Sequence, residues 1–275
     1  MPGPLISLLT DFGLRDPSAA ILHGVVLSIV PDARIVDISH EVRKYAIRDG
    51  ALLLWCALPY LPIGFHVAVV DPGVGTDRLP VAIATGRGDV LVGPDNGLLV
   101  AAANRLGGIT AVHALEAPAY RLPVVSTSFH GRDIFAPAAA HLARGVGIAS
   151  LGRSIDPAAL VGSPIRGPEV VEGELRSSVV YVDTFGNLKL AGLRADLEAA
   201  LGPLTPGDPL ELSVSGGTSL RTIRTSWQAT FGDVPPGQTL VYEDSYGRIC
   251  LAASRADAAA RHDIVEDLGV VIRRR

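Results

Sequence analysis

The first 150 residues alternate short apolar runs with segments whose apolar positions recur at helical spacing. Runs with little polar interruption are typical of strands that are buried on both faces of a sheet. They occur at residues 5–10, 34–38, 66–70, 81–85 and 89–93. Helical spacing follows Asp16 and Gly97, and it also covers residues 45–58 and 133–145. This alternation predicts an α/β fold with a mainly parallel sheet.

Local signals place the ends of two of these helices. Asp16 is a suitable helix cap and Pro17 suits the first helical position, so a helix is predicted to begin there. Asp133 is predicted to cap the helix over residues 133–145, and Gly145 to end it.

The second half of the chain has a different pattern. Residues 152–175 are rich in proline and glycine and are interpreted as an interdomain linker. Short strands separated by turns, including one at Gly216-Gly217, then predict a smaller antiparallel β-barrel of about 100 residues. The strands are predicted at residues 177–183, 187–191, 209–214, 219–225, 238–244, 248–254 and 270–274. We therefore expect an N-terminal α/β domain over residues 1–165 and a C-terminal β-barrel domain over residues 166–275.

Composition narrows the classes of function. Of the 275 residues, 48% are hydrophobic, and the net charge is −4, so no polybasic surface predicts binding to nucleic acid. No apolar run is as long as a membrane span and the N-terminus lacks the features of a signal peptide. We expect a soluble, cytoplasmic protein without a membrane partner. Cys56 and Cys250 lie in apolar runs, which predicts buried reduced thiols, and no cysteine–histidine pattern predicts a metal.

Three ionisable residues suggest a site that polarises a small molecule such as water. Asp71 follows the third predicted strand, and ligands of open α/β sheets bind beyond the carboxyl ends of strands. Arg78 would hold Asp71 as an anion, and His130 could accept or orient a proton. Phe129 and Gly131 flank His130, and the glycine permits a ligand to approach closely. A hydrogen-bonded structural role for His130 stays open.

Further residues point to a nucleoside. Asp11 follows the first strand, where one carboxylate can accept both hydroxyls of a ribose diol, although a turn aspartate is an equal alternative. Asn187 lies in the turn after Asp183, and its amide matches an adenine edge. Phe185 and Phe231 could stack on a base. An ordinary β-turn stays open there, as it does for residues 244–247. Since neither familiar phosphate-binding glycine motif is present, a nucleoside ligand without a polyphosphate is expected.

Six segments together resemble a known family. LLTDFGLRDPS, VVDPGVGTDR, GPDNG, STSFHGRDIFAPAAAHLA, DTFGN and DSYG, in this order, resemble the S-adenosylmethionine hydroxide adenosyltransferases. This is the hydrolase branch of the family that also contains the fluorinase and the chlorinase. The resemblance implies a Rossmann-like N-terminal domain, a β-barrel C-terminal domain and a homotrimer. It also implies sites at the subunit interfaces, between the N-terminal domain of one subunit and the C-terminal domain of the next.

The resemblance also implies roles for individual residues. Asp11 corresponds to the residue that binds the ribose diol, and Asn187 to the one that reads adenine, with Phe185 and Phe231 packed nearby. Asp71, Arg78 and His130 match the water-handling catalytic triad of the hydrolases. The residues that correspond to those holding the methionine end are Asp16, Ser18, Asp183 and Ser245. The halogenases have an arginine where this chain has Tyr246, so recognition of the methionine carboxylate is left open.

The implied reaction is in-line attack of an activated water or hydroxide at C5′ of S-adenosyl-L-methionine, which releases adenosine and L-methionine. It requires no cofactor and no metal. One alternative is a non-catalytic protein that binds adenosine or S-adenosylmethionine. A halide-dependent halogenase is disfavoured, because the halogenases have a tyrosine in place of His130 and the fluorinase has a loop insertion absent between Gly75 and Pro80.

Overall fold

A computed structural model describes residues 3–216 and 219–275. The chain divides into two compact units, of which the first ends at Pro164 and the second spans Ile165–Arg275. The predicted turn at Gly216-Gly217 lies partly outside the described residues, because Gly217 is not among them. Within the described ranges, no helix combines the length and the apolar character that crossing a bilayer requires.

The first unit contains a six-stranded sheet with helices in its connections. Its strands are β1 (Leu5–Thr10), β2 (Arg34–Ser39), β3 (Phe65–Val69), β4 (Pro80–Thr85), β5 (Val90–Pro94) and β6 (Ile109–Ala114). Its α-helices are α1 (Ser18–Ile29), α2 (Ile47–Ala57), α3 (Val100–Arg105) and α4 (Ala136–Ala143). The strand order is β2-β1-β3-β5-β4-β6. An α/β unit is thus confirmed.

The sheet is mixed, a feature that the expectation of a mainly parallel sheet did not include. Strands β2, β1, β3 and β5 pair in parallel, whereas β4 pairs antiparallel with β5 and β6. The turn of residues 86–89 between β4 and β5 is too short for a crossover, so these two strands can only be antiparallel neighbours. The sequence analysis did not predict β6, a half-buried strand at the sheet edge.

Strand β1 is buried along its whole length, which explains its unbroken apolar pattern. Helices α1 and α4 pack against one another and contribute to one core with β1 and β3. In the parallel register, Thr10 of β1 lies opposite Val69 of β3. The carboxyl ends of the two strands therefore meet at one edge, where Asp11 and Asp71 follow them.

Two helix starts differ from prediction. Helix α1 begins at Ser18, with Pro17 rather than Asp16 directly before it, although Asp16 Oδ1 still accepts the Ser18 N–H at 2.9 Å. Asp133 is not a helix cap, because a π-helical turn over Gly131–Phe135 precedes α4 and contains it. Short π-helical turns occur often at functional sites.

The second unit contains eight strands: β7 (Glu169–Val171), β8 (Glu174–Val182), β9 (Leu188–Leu193), β10 (Pro209–Gly216), β11 (Ser219–Ser226), β12 (Thr239–Glu243), β13 (Arg248–Ala253) and β14 (Gly269–Arg274). The order is β11-β10-β14-β8-β9-β13-β12, with β7 also paired to β8, and each of these strand pairings is antiparallel. An isolated parallel bridge between Trp227 and Val241 joins the ends of this order, so the sheet is nearly closed and barrel-like. Helices α5 (Arg194–Leu201) and α6 (Ala258–His262) were not predicted.

Candidate active site

Asp71, Arg78 and His130 form one connected cluster. The Arg78 Nε donates to both carboxylate oxygens of Asp71 at 3.0 Å, and its Nη2 also donates to Asp71 Oδ2. The same Nη2 lies 3.0 Å from His130 Nδ1. The side chains of Asp71 and Arg78 are almost fully buried, and the guanidinium lies 5.1 Å from the centre of the Phe135 ring. Arg78 is thereby fixed between an anion and an imidazole.

The contact with Arg78 determines which nitrogen of His130 carries the proton. An arginine offers only donors, so His130 Nδ1 must accept from Nη2. The neutral ring then carries its proton on Nε2, on the opposite side. Burial and the positive charge of Arg78 lower the pKa of His130 below its ordinary value of 6.5. His130 is consequently neutral at pH 7 and offers a hydrogen-bond donor at Nε2.

Two loops bring the cluster together. Residues 71–78 fold back through tight turns in which Val74 N–H donates to Asp71 O and Thr76 N–H to Gly73 O. Gly75 has a φ of +80°, and a Cβ there would lie 2.7 Å from the Thr127 carbonyl oxygen, so only glycine lets the loops approach this closely.

Asp133 stabilises the second loop from inside the π-helical turn. Its Oδ2 accepts the Ser126 N–H at 2.8 Å, and its Oδ1 accepts from Arg132 Nε at 2.6 Å. Burial acts to raise the pKa of Asp133, but hydrogen bonds from Arg132 and Ser126 outweigh burial and lower the pKa. Asp133 is therefore a charged anchor for the segment that ends at His130.

A pocket of about 390 Å³ opens beside this cluster in the first unit. Asp11 lines it, and its Oδ2 accepts the N–H of Tyr45 at 2.9 Å. Phe12 and Phe129 meet edge to face with ring centres 5.5 Å apart. The predicted site residues among its lining are Asp11, Asp16, Ser18, Asp71, Phe129, His130 and Gly131. Lys44, Tyr45, Val74 and Ser128 also line it and were not predicted.

A second pocket, of about 500 Å³, lies in the second unit. Six further predicted residues line it: Asp183, Phe185, Asn187, Phe231, Ser245 and Tyr246. Phe185 is 78% exposed, and the rings of Phe231 and Tyr242 lie 4.8 Å apart. Large exposed aromatic side chains at the mouth of a pocket can contact a flat ligand.

Two hairpin turns with the same hydrogen bonds build this pocket. Asp183 Oδ1 accepts the N–H groups of Phe185 and Asn187, two and four residues later, and Oδ2 accepts from the Asn187 side-chain amide. Asp244 Oδ1 likewise accepts the N–H groups two and four residues later, those of Tyr246 and Arg248. Because Asn187 donates to Asp183, the amide is held in one orientation and its Oδ1 serves as an acceptor.

Lys189 was missed by the sequence analysis. It is only 9% exposed, its Nζ donates to Asp244 Oδ2 at 2.5 Å, and it lies 5.1 Å from the Tyr246 ring centre. Its position in the predicted strand NLKLA does not indicate a site residue, because a lysine in such a strand is usually solvated. The pocket thus contains two carboxylates, of Asp183 and Asp244, and two cations, of Lys189 and Arg255.

Each unit therefore carries a pocket of a size suited to part of a small polar ligand, and the first also carries a buried acid–guanidinium–imidazole cluster. The model of the SAM hydroxide adenosyltransferase N-terminal domain matches residues 6–152, and that of the C-terminal domain matches residues 177–270. The chain belongs to the SAM hydroxide adenosyltransferase family.

Individual relatives agree over nearly the full length. The (R)-S-adenosyl-L-methionine hydrolase of Salinispora tropica is 43% identical, with 94% of this chain and 93% of the relative covered. The protein of the same name from Thermus thermophilus is 37% identical, with 96% and 98% covered. A crystal structure of an uncharacterized conserved protein from Thermotoga maritima is similar with a TM-score of 0.89 and 30% identity, covering 98% of this chain and all of that one.

Proposed function

We propose that this protein hydrolyses S-adenosyl-L-methionine to adenosine and L-methionine. The observation that carries the proposal is the buried cluster of Asp71, Arg78 and His130 beside the pocket of the first unit. Family membership and the names of the relatives support the substrate and the hydrolytic outcome.

The main requirement of the reaction is an oxygen nucleophile held in position beside C5′. A bond forms between this oxygen and C5′ while the C5′–S bond breaks, and its electron pair neutralises the sulfonium to a thioether. The leaving group needs no proton. Positioning in line with the C–S bond and exclusion of bulk water are therefore the main sources of acceleration.

The three residues have different parts in this reaction. The Nε2–H of neutral His130 donates to the oxygen of the water or hydroxide and orients it. Arg78 fixes both partners and adds positive charge beside a nucleophile that is or becomes anionic. When water is the nucleophile, Asp71 is the base that accepts its proton, because the Nδ1 lone pair of His130 is already used by Arg78.

The two pockets bind different parts of the substrate. In the first unit, Asp11 binds the ribose diol and Asp16 and Ser18 contact the methionine end, with Phe129 and Gly131 shaping the wall. In the second unit, Asn187 reads adenine between Phe185 and Phe231. Asp183, Ser245 and Tyr246 form the methionine side of that pocket. This assignment is supported by the lining residues of both pockets.

Lys189 is the cation for the methionine carboxylate. The amino acid end of the substrate is a zwitterion, and the pocket of the second unit offers both signs of charge. The Lys189 ammonium lies in this pocket, where it pairs with Asp244 and is 5.1 Å from the centre of the Tyr246 ring. Lys189 thereby supplies the positive charge that is missing where this chain has Tyr246.

The finer architecture belongs to the same proposal. The proposed N-terminal domain, over residues 1–165, is Rossmann-like, and the proposed C-terminal domain, over residues 166–275, is a β-barrel. The homotrimer with sites at its subunit interfaces and the cytoplasmic location stay predictions of the sequence analysis.

Product analysis tests the proposed function. Purified protein is incubated with S-adenosyl-L-methionine in water enriched in heavy oxygen, with and without chloride or fluoride, and the products are identified by mass. We expect adenosine labelled at the 5′-hydroxyl, unlabelled methionine and no dependence on halide. Binding without turnover would favour a non-catalytic binding protein, and 5′-halogenated deoxyadenosine would identify a halogenase.

Single substitutions test whether turnover depends on the cluster itself rather than on the loop that carries it. Asp71→Ala, Arg78→Ala and His130→Ala are each expected to lose turnover by about 10²-fold or more while the variants still bind substrate. The control is Asp77→Ala, which removes an exposed carboxylate next to Arg78. Full activity in all three cluster variants would contradict the assigned roles.

A further inference from the structure

A cluster of three potential metal ligands lies in the first unit, outside the residues that line its main pocket. His23 is on α1, Asp37 on β2, and His40 follows β2. Asp37 Oδ1 lies 2.8 Å from His23 Nε2 and 3.0 Å from His40 Nε2. The three donor atoms all lie within 4.8 Å of one another.

His40 is the member that a simple hydrogen-bond network does not explain. It is 3% exposed, and its Nε2 makes no hydrogen bond of acceptable geometry although the Asp37 oxygen is close. Its Nδ1 lies 2.8 Å from Thr10 Oγ1, which fixes the ring and aims Nε2 at the cluster. Metal-binding histidines are commonly oriented in this way through the second ring nitrogen.

We propose that His23, Asp37 and His40 form a binding site for a divalent transition-metal ion such as Zn²⁺. Two imidazoles and a carboxylate are a suitable ligand set for such an ion. Tetrahedral zinc with bonds of about 2.0–2.1 Å places its ligand atoms about 3.3 Å apart, so each histidine nitrogen needs to move away from Asp37 Oδ1 by only a few tenths of an ångström. The two histidine nitrogens, which lie within 4.8 Å of one another, would take up the same spacing.

The charge and exposure of the cluster suit this occupant. Asp37 supplies the one carboxylate of the ligand set, between two imidazoles. The side chains of His23 and Asp37 are 33% and 42% exposed. An ion can therefore enter from solvent and keep water at its fourth position.

The bound ion would join α1 to β2 next to the segment that carries Asp11. Thr10 Oγ1, the partner of His40, also accepts the Phe12 N–H at 3.2 Å. The ion has a structural role here, and the proposed hydrolysis does not depend on it.

Metal titration of protein without a polyhistidine tag tests this inference. After removal of metals with a chelator, the protein is titrated with ZnCl₂ by calorimetry, and Co²⁺ is added to a second sample to record its visible absorption. We expect one ion per chain, a d–d spectrum of a low-coordinate site and a higher melting temperature with zinc.

Two variants and a control test whether zinc binding depends on the proposed ligands. His23→Gln replaces a half-buried helical ligand with a good helix former and is expected to weaken zinc binding by at least about tenfold, and Asp37→Asn likewise. His141→Gln alters a half-buried histidine of α4 outside the cluster and should bind zinc like the natural chain. Absence of binding, or equal affinity in His23→Gln, would overturn the proposal and leave a metal-free hydrogen-bond network.

Discussion

At the scale of single residues, one neighbour decides what His130 can do. Its Nδ1 accepts from Arg78, which removes that nitrogen from proton transfer and leaves Nε2–H as a donor. Protonation would add an N–H that points at the guanidinium, so the acid form breaks the contact and repels Arg78. The lowered pKa of His130 has this physical cause together with burial.

The pH dependence of turnover follows with a definite sign. In the proposed mechanism activity requires neutral His130, so turnover is expected above the pKa of His130 and should fall as the pH drops through a value below 6.5. The measurement is kcat/KM for S-adenosylmethionine from pH 4.5 to 8. In His130→Gln, the residual activity should lack this acid limb; an unchanged limb would assign the titration to another group.

Lys189 can be tested through its expected selectivity for the carboxylate. Lys189→Met should raise the KM for S-adenosylmethionine by about tenfold or more, since a charged hydrogen bond is lost. Affinity for adenosine, which has no carboxylate, should hardly change. Lys189→Arg keeps the charge and should restore part of the loss. An equal weakening for both ligands would indicate collapse around Asp244 rather than loss of recognition.

At the scale of elements, a buried polar network ties three strands of the first sheet together. Ser7 Oγ on β1 lies 2.7 Å from His66 Nδ1 on β3, and His66 Nε2 lies 2.9 Å from Asp89 Oδ1 at the start of β5. Arg87 donates to both oxygens of Asp89, which is 0% exposed. These groups help to fix the positions of the parallel strands that end near the cluster of Asp71, Arg78 and His130.

Removing the Asp89 charge should destabilise the protein. Burial acts to raise the pKa of Asp89, but hydrogen bonds from His66 and Arg87 lower it far below the ordinary value of 3.8. The stabilisation is therefore complete above about pH 3.8 and is lost as the pH falls toward the folded-state pKa.

We expect Asp89→Asn to reduce the free energy of unfolding by about 3 kcal/mol at pH 7, because it leaves buried partners without their anion. Denaturant unfolding at pH 7 and near pH 3 measures this, and the difference between the two proteins should narrow in acid. Asp77→Asn, an exposed control, should have almost no effect. A constant difference at both pH values would contradict the electrostatic explanation.

At the scale of the whole molecule, both pockets have large apolar side chains exposed beside them. Tyr45 is at the pocket of the first unit and Phe185 at that of the second. Exposed apolar groups that cluster at binding sites often become covered by ligand or by another subunit. This fits the homotrimer implied by the family resemblance.

The assembly is tested by measuring its mass. Light scattering after gel filtration should give three times the chain mass of 28.7 kDa. Phe185→Asp is expected to weaken the assembly and to raise the KM if the residue faces a neighbouring subunit. A monomer with full activity would contradict the prediction that the sites lie at subunit interfaces.

The sequence predicted elements where local pattern and burial coincide. Strands β1 and β3 are buried on both faces, and their apolar runs predict them as strands. Strand β6 at the sheet edge and helix α5 were missed, because half-buried elements have weak local signals. The residue type of Asp133 predicts a helix cap, but the chain at this position is part of a π-helical turn.

The sequence by itself determined the family and the kind of substrate, and it predicted candidate site residues on the glycine-rich turns. Those depend on residue identity and short spacing along the chain. Only the tertiary structure decided that Arg78 contacts His130, 52 positions later in the chain, and thereby determines which ring nitrogen carries the proton. The same holds for the contact of Lys189 with Asp244, 55 positions later. Such contacts depend on how strands are paired and loops are packed, which local patterns do not specify.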